Sequence, residues 1–483
     1  MQFTTLLAAL PLLVAVLALA LRMKALTAAL LSLTAAVLLG LTLFRAPAAG
    51  WSAGLLGLAP TIAEVLAVLF GGVLLNRVLD RVGAQATIAA WVERSGAGQR
   101  ERAALLLVFG LTPFAESVTG YGLGAMVAVP LLRHLGFDRT RSLILALFGL
   151  FLTTWGALAP GALVASALGG VGEIELGVRS AQLAWLPILL TGLATQALCY
   201  RRQALRVTPL LDVLLIGAAL WGVLVATNWL LGPPLAGVLG ALAATAVALL
   251  RFRLAGARVG LDRETAAALL PYLVLVVGLL VSGIALRVTG AGGAWQLLGL
   301  GSLWLVVASA VALRQHHSSA ALVRSDLVAS VRRWWPVGSA TAGFLLLGAV
   351  LTLTGMSAAV ATGLAQLGRG YLFLAPFVGG LGGLVSGTVV GANAMFVASQ
   401  AQAAHAIGVP ALELVAIQNL SSGVLTMAAP TRVALALVPA ADGAGAKDSA
   451  EPPPDLGHAH RWLLGLCLIT LLGLGGLALT VGS

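Results

Sequence analysis

Glu116 and Arg432 are ionisable residues set in long apolar stretches of a 483-residue chain, and each sits where helix-weakening residues cluster. Glu116 lies in "FAESVTGYGLGAM" (114–126), beside Ser117, Thr119, Gly120 and Gly122. Arg432 closes "QNLSSGVLTMAAPTR" (418–432), which also holds Gln418, Asn419, Ser421, Ser422 and Pro430. Two further interrupted stretches are "TTWGALAPGA" (153–162), with Thr153, Thr154 and Pro160, and "SGTVVGANAM" (386–395), with Ser386, Gly387, Thr388 and Asn393. The chemistry open to such a set is binding rather than bond breaking. A carboxylic acid can take up and release a proton. A guanidinium matches a carboxylate with two parallel hydrogen bonds. Broken helices expose N-terminal amides that favour anions. Each residue also has a plainer use. Glu116 could simply satisfy a backbone break or a basic neighbour. Arg432 could snorkel from the inner end of its helix. Asn393 could bridge two helices, and the small residues could serve only close packing.

The surroundings decide what must position these groups. The chain is 60% hydrophobic and only 9% charged, against about 25% charged in a soluble domain. Apolar runs of about 20 residues, the length that crosses a bilayer core, recur from end to end. The fold class expected is therefore all-α and polytopic. The net charge of +11 arises from basic residues in short loops, as the positive-inside rule requires, and gives no reason to invoke nucleic acid. Cys199 and Cys467 are the two cysteines; both fall in apolar spans, with no metal-binding spacing. The first 21 residues lack a basic leader and a clear cleavage site, and are read as a retained helix.

Plain spans are expected near 3–21, 25–44, 60–80, 182–199, 207–230, 235–252, 267–287, 295–313, 336–355 and 462–480. The stretches 84–102 and 316–335 are expected at the surface, the second as a basic amphipathic segment. Broken spans occupy 141–168 and 411–439. Two segments, 103–135 and 371–407, contain the glycine-rich motifs. "GLGAM" (122–126) and "GANAM" (391–395) recur about 270 residues apart, each followed by a loop glycine and then a proline-broken segment. Paired interrupted segments in two halves point to a transporter's binding site. If both motif segments fold back as hairpins and the N-terminus lies outside, only Arg45, Arg179, Arg287 and Arg369 fall on the outer face, and Arg432 remains in the membrane. Full crossings would cancel that bias. The expectation is about 12 spans plus two oppositely oriented re-entrant hairpins. The division drawn is 1–59, a first repeat over 60–206, connecting helices over 207–335, a second repeat over 336–440, a polar loop over 441–461 and a last helix over 462–483. Both termini then face away from the cytoplasm. Glu64 is read as a solvated head, Asp212 as a partner of Arg206, and Asn228 and His405 as residues near span ends.

No GxxxxGK[ST] or HExxH motif occurs, and no catalytic pair or metal set stands out, so neither an ATP-driven pump nor a membrane enzyme is expected, and no cofactor is implied. At this point the motifs resemble those of the lactate permease family. "GLTPFAESVTGYGLGAMVA" (110–128) is similar to the family's first motif, with Phe114, Glu116, Gly120, Tyr121 and Gly122 in place. "HLGF" (134–137) and "SGTVVGANAMF" (386–396) are similar to its later ones. The resemblance covers about 60–440. It implies an inner-membrane, proton-coupled symporter of small monocarboxylates such as lactate or glycolate, on an inverted-repeat plan. The chain departs from the family at Ser117–Val118–Thr119, at the first asparagine of the serine-glycine motif, and at Pro430–Thr431–Arg432. The substrate and ion site expected comprises Glu116, Ser117, Thr119, Gly120, Gly122, Thr154, Ser386, Thr388, Asn393, Gln418, Asn419 and Arg432. A proton is the expected coupling ion; a sodium-coupled organic-anion carrier and an anion channel are the alternatives. The expected partners are a small carboxylate and the lipid bilayer, with a homo-oligomer left open.

Overall fold

The computed structural model describes residues 2–96, 99–120, 122–200, 207–256, 260–442 and 452–480. Tyr121, Arg206 and residues 443–451 of the 441–461 loop lie outside the described residues. Among the described residues every regular element is a helix. Twelve helices are long and apolar enough to cross a membrane. The number agrees with the sequence, but the membership differs. Arg100–Thr119, an arm of the first hairpin, is among the twelve. The expected 295–313 span is not, because it bends by 61° between Gly293–Gly299 and Gly301–Gln315.

The chain begins with the pair α1 (Gln2–Ala20) and α2 (Ala25–Thr42). Then comes α3 (Ala48–Arg81), which starts well before position 60, and the short surface helix α4 (Ala84–Gly96). The first hairpin rises through α5 (Arg100–Leu106), a π-helical turn at Leu107–Leu111, and α6 (Thr112–Thr119). Pro113 has no amide hydrogen to give, so the ladder shifts there. The chain turns at Gly120 and Gly122 and returns as α7 (Leu123–His134). Next, α8 (Arg139–Phe148) tightens into a 3-10 stretch, kinks at Gly156–Ala159 and resumes as α9 (Pro160–Gly169). Helices α10 (Glu173–Leu183), α11 (Trp185–Tyr200), α12 (Val207–Leu231), α13 (Pro233–Leu254), α14 (Arg263–Thr289) and α15 (Gly301–Gln315) follow. The stretch 316–335 is not a separate surface segment. It forms the first half of the unbroken α16 (Ala320–Leu353), which passes through Pro336. After α17 (Met356–Ala365), the second hairpin is α18 (Gly370–Ser386) and α19 (Val389–Ile407). The second broken segment is α20 (Ala411–Thr426) and α21 (Pro430–Asp442), and α22 (Leu456–Leu479) ends the fold. The division drawn from sequence at 60 and 336 thus falls inside α3 and α16.

Both motif segments do fold back on themselves. At the base of the first, Arg100 Nη1 donates to Gly136 O at 3.4 Å, and its guanidinium lies 4.9 Å from the Phe137 ring centre. In the second, Tyr371 Oη at the start of α18 donates to Gln400 Oε1 in α19 at 2.8 Å. The two halves are also inverted. The helices ahead of the hairpins, α3 and α16, are both 34 residues long and run antiparallel. Arg81, ending α3, donates to Asp326 Oδ2 at 2.8 Å and Ser318 Oγ at 3.0 Å near the start of α16, while Gly54, near the start of α3, faces Leu353 at the end of α16.

The halves are laced together by exchange. The α1–α2 pair packs on α16 and α17 of the other half, and α14–α15 packs on α3 and α4. Likewise α9 packs on α19, and α21 on α7. Polar contacts follow the same exchange: Arg179 of α10 donates to Glu413 of α20 at 2.8 Å, and Asp455, capping α22, donates its N–H to Thr140 Oγ1 of α8 at 2.9 Å.

Arg206, the expected partner of Asp212, lies outside the described residues; among those described, Asp212 pairs with two arginines of other helices. It is 1% exposed and accepts from Arg102 Nε of α5 at 2.8 Å and Arg251 Nε of α13 at 2.7 Å. One carboxylate therefore holds the base of the first hairpin to α12 and α13. Asp212→Asn leaves two guanidinium groups sharing a neutral amide, and is expected to cost about 1–3 kcal/mol, read as a lower Tm of the purified protein in detergent.

Candidate functional site

The hairpin tips meet at Arg432. This residue lies in the first turn of the half-helix α21, so it sits at a helix break and not at the inner end of a span, and it does not snorkel. Its side chain is 5% exposed. Nε donates to Gly387 O, at the tip of the second hairpin, at 2.9 Å. Nη1 donates to Glu116 Oε1, just before the tip of the first, at 3.4 Å. That second bond is longer than the usual 2.7–2.9 Å or so of a charge-assisted contact. Glu116 Oε2 also accepts the Gly122 N–H at 2.8 Å.

Glycine makes these approaches. Gly387, at φ +67°, ends α18 and turns its carbonyl toward Arg432. Gly122, at φ +82°, has Arg432 directly against it: an added Cβ would lie 3.0 Å from Nη1 and 3.2 Å from Cδ. Gly122→Ala combines left-handed strain with displacement of the guanidinium. A destabilisation of about 1–3 kcal/mol is expected, with a weaker apparent affinity for substrate in uptake assays.

Around this pair lies a cavity of about 40 Å³, lined by Glu116, Gly120, Thr153, Gly161, Thr388 and Arg432, with Leu69 and Thr341 from α3 and α16. At about 10–15 Å³ per enclosed water, it holds a few waters and no three-carbon acid. The half-helix starts converge on it. Gly122, the N-cap of α7, gives its N–H to Glu116, Pro160 and Gly161 start α9, Thr388 caps α19 and Arg432 lies in the first turn of α21. Four half-helix starts and one guanidinium therefore point toward one carboxylate, with the C-terminal ends of α6 and α18 at the same tips.

Of the residues picked from sequence, Glu116, Gly120, Gly122, Thr388 and Arg432 come together here. Ser386 is at the same tip but turns inward, donating to Gly382 O at 2.6 Å. Thr388 Oγ1 accepts the Gly391 N–H at 3.1 Å as the cap of α19. Ser117 faces Gly237 and Trp155 instead. Thr119 donates to Ala115 O at 2.6 Å and faces a separate apolar cavity beside Phe114 and Tyr272. Thr154, Asn393, Gln418 and Asn419 form a buried layer behind the cavity. Asn393 Nδ2 donates to Gly161 O at 3.0 Å and Asn419 Oδ1 at 2.9 Å, Thr154 Oγ1 donates to Asn419 O at 3.3 Å, and Gln418 Oε1 accepts from Gln400 Nε2 at 3.3 Å.

Thr341 is not picked out in the sequence, because a lone threonine in an apolar helix gives no signal. Gly387 is named with the second hairpin's motif, but its carbonyl is not foreseen as the partner of Arg432, and Asn228 is read only as a residue near a span end. Asn228 is fully buried, and its Oδ1 accepts Trp155 Nε1 at 3.3 Å, anchoring the first broken segment. Glu64 is not a free solvated head: it accepts from Ser302 Oγ at 2.8 Å. His405 is exposed, at the far end of α19.

Similarity to known proteins agrees with this architecture. The crystal structure of the Alcanivorax borkumensis YdaH transporter, described as having an unusual topology, superposes with a TM-score of 0.50, covering 89% of this chain and 86% of that one at 15% identity. At that identity the likeness speaks for the fold alone. L-lactate permease of Escherichia coli (strain K12) is 39% identical over 83 residues, and that of Salmonella typhimurium is 35% identical over 83 residues. The matched stretch is 17% of this chain and spans only 15% of the length of those relatives. A family model described as L-lactate permease matches residues 4–293 and 285–450. With that match running over most of a twelve-span helical chain, the protein belongs to the L-lactate permease family.

Proposed function

We propose that the protein is a secondary active transporter that carries a small monocarboxylate, of the lactate or glycolate class, together with a proton across the cell membrane. The convergence of four half-helix N-termini and Arg432 on one small cavity supports this reading most directly. Such a field suits one carboxylate, and Glu116 supplies it in the closed arrangement. A protonated Glu116 releases Arg432, whose guanidinium then takes the substrate carboxylate. Loss of the proton restores the internal pair and expels the substrate. Proton and anion thus travel together because the Glu116 and substrate carboxylates compete for one cation, and the proton neutralises the first. Rocking of one inverted half against the other gives access from each side in turn. The face carrying Arg81, Arg251, Arg263 and Arg314 is cytoplasmic by the positive-inside rule, which leaves both termini outside.

The test is uptake of labelled lactate and glycolate into proteoliposomes. An acid-outside pH gradient is expected to drive accumulation above the equilibrium level, and a sodium gradient is not. Accumulation with sodium alone transfers the coupling to that ion. Rapid downhill flux without accumulation makes the protein a channel.

A further inference from the structure

We infer that the exposed face of the first half of α16 is a binding site for the headgroup of an anionic phospholipid. The helix is 34 residues long, or about 51 Å at 1.5 Å per residue. A bilayer offers about 30 Å of hydrocarbon, and about 40–45 Å with its headgroup layers. Trp335, 61% exposed, marks the boundary just before the apolar run that begins at Pro336. The turns ahead of it must therefore run through the headgroup layer.

Those turns carry Arg324, Arg332 and Arg333, all exposed. Arg324 and Arg332 are eight residues apart on one stripe, about 12 Å, with Val328 between them; with Arg333 they border a shallow open groove. Among the described residues no carboxylate lies within ion-pair distance of any of the three. The one acid of this segment, Asp326, is 1% exposed and faces the opposite way, held by Arg77 and Arg81 of α3. The charge of the groove is thus uncompensated by the protein. Exposed Leu327, Val328 and Val331 lie on the same side, where acyl chains would rest beneath a phosphate. A guanidinium pair over an apolar strip fits a phosphodiester attached to lipid tails better than a free, fully hydrated anion. The same helix carries Thr341 to the cavity, so a lipid held here steadies one wall of the site.

The experiment uses the purified full-length chain in neutral detergent, titrated with phosphatidylglycerol, phosphatidylcholine or inorganic phosphate, with binding counted by native mass spectrometry and Tm read in parallel. Phosphatidylglycerol alone is expected to bind and raise Tm. R324Q/R332Q/R333Q is expected to weaken that binding roughly a hundredfold, about fivefold per arginine. R332K/R333K keeps the charge and is expected to retain most of it, which separates loss of the site from misfolding. A control, R253Q/R263Q/R314Q, removes three exposed arginines elsewhere on the basic face. The proposal fails if the control loses as much as the α16 variant, if phosphatidylcholine binds equally, or if inorganic phosphate at the same concentration gives the same Tm rise.

Discussion

Glu116→Gln is expected to abolish pH-driven accumulation while leaving exchange of labelled for unlabelled substrate measurable. The amide can still accept the Gly122 N–H, so the tip keeps its turn. It carries no charge, so no carboxylate at the tip competes for Arg432 and no proton is needed to free it. Coulomb attraction at 3.4 Å is worth about 4–5 kcal/mol at an effective dielectric of 20. Removing one partner of a buried pair costs about 3–5 kcal/mol. The variant should therefore also melt earlier. Arg432→Gln is expected to lose both accumulation and exchange, because the anion then has no cation to meet. The double variant E116Q/R432Q provides the decisive comparison. It buries no unpaired charge, so much of the lost Tm should return, while transport should not. A double variant no more stable than either single one would argue against a direct pair.

The second large effect concerns packing. Gly383 in α18 is pressed against the backbone carbonyl of Ser422 in α20, and an added Cβ would fall far inside van der Waals contact distance of that oxygen. Main-chain atoms cannot rotate away, so the two helices must separate. Gly383→Ala is expected to cost about 3 kcal/mol, the upper end for overpacking, and to lower uptake by shifting the second hairpin's tip away from Arg432. Gly476→Ala, in α22 with open space around it, is the matching control and should leave Tm and transport unchanged. Equal effects of the two substitutions would refute a contact-specific origin.

How much of this was legible in the sequence varies by residue. Glu116 and Arg432 stood out because charge inside an apolar run has few bland uses. That they meet could not be read, since 316 residues separate them and no local period encodes the contact. The hairpins were legible through glycines and through the distribution of arginines. The exchange of α1–α2 for α14–α15 was not, because helices that are apolar on every side give no hint of which face packs where. The two arginines that hold Asp212, Arg102 and Arg251, come from other helices and could not be read from its neighbourhood in the chain. Asn393, Gln418 and Asn419 were recognised as a polar set, but one layer behind the cavity. Hydrogen bonding between helices and contact with a ligand call for the same amides, so sequence cannot separate them.

The distance along the chain between Glu116 and its guanidinium also has a consequence for biogenesis. The first hairpin must enter the bilayer long before Arg432 exists. Synthesis of the 316 intervening residues takes about 15–60 s at roughly 5–20 residues per second. Throughout that interval the carboxyl has only the turn's own amide for company, and for its first part, until α15 is complete at Gln315, α3 and α4 also lack their α14–α15 cover. The nascent amino-terminal half is therefore a substrate for insertases and quality-control proteases, and its survival depends on how quickly the carboxyl-terminal half arrives to complete it.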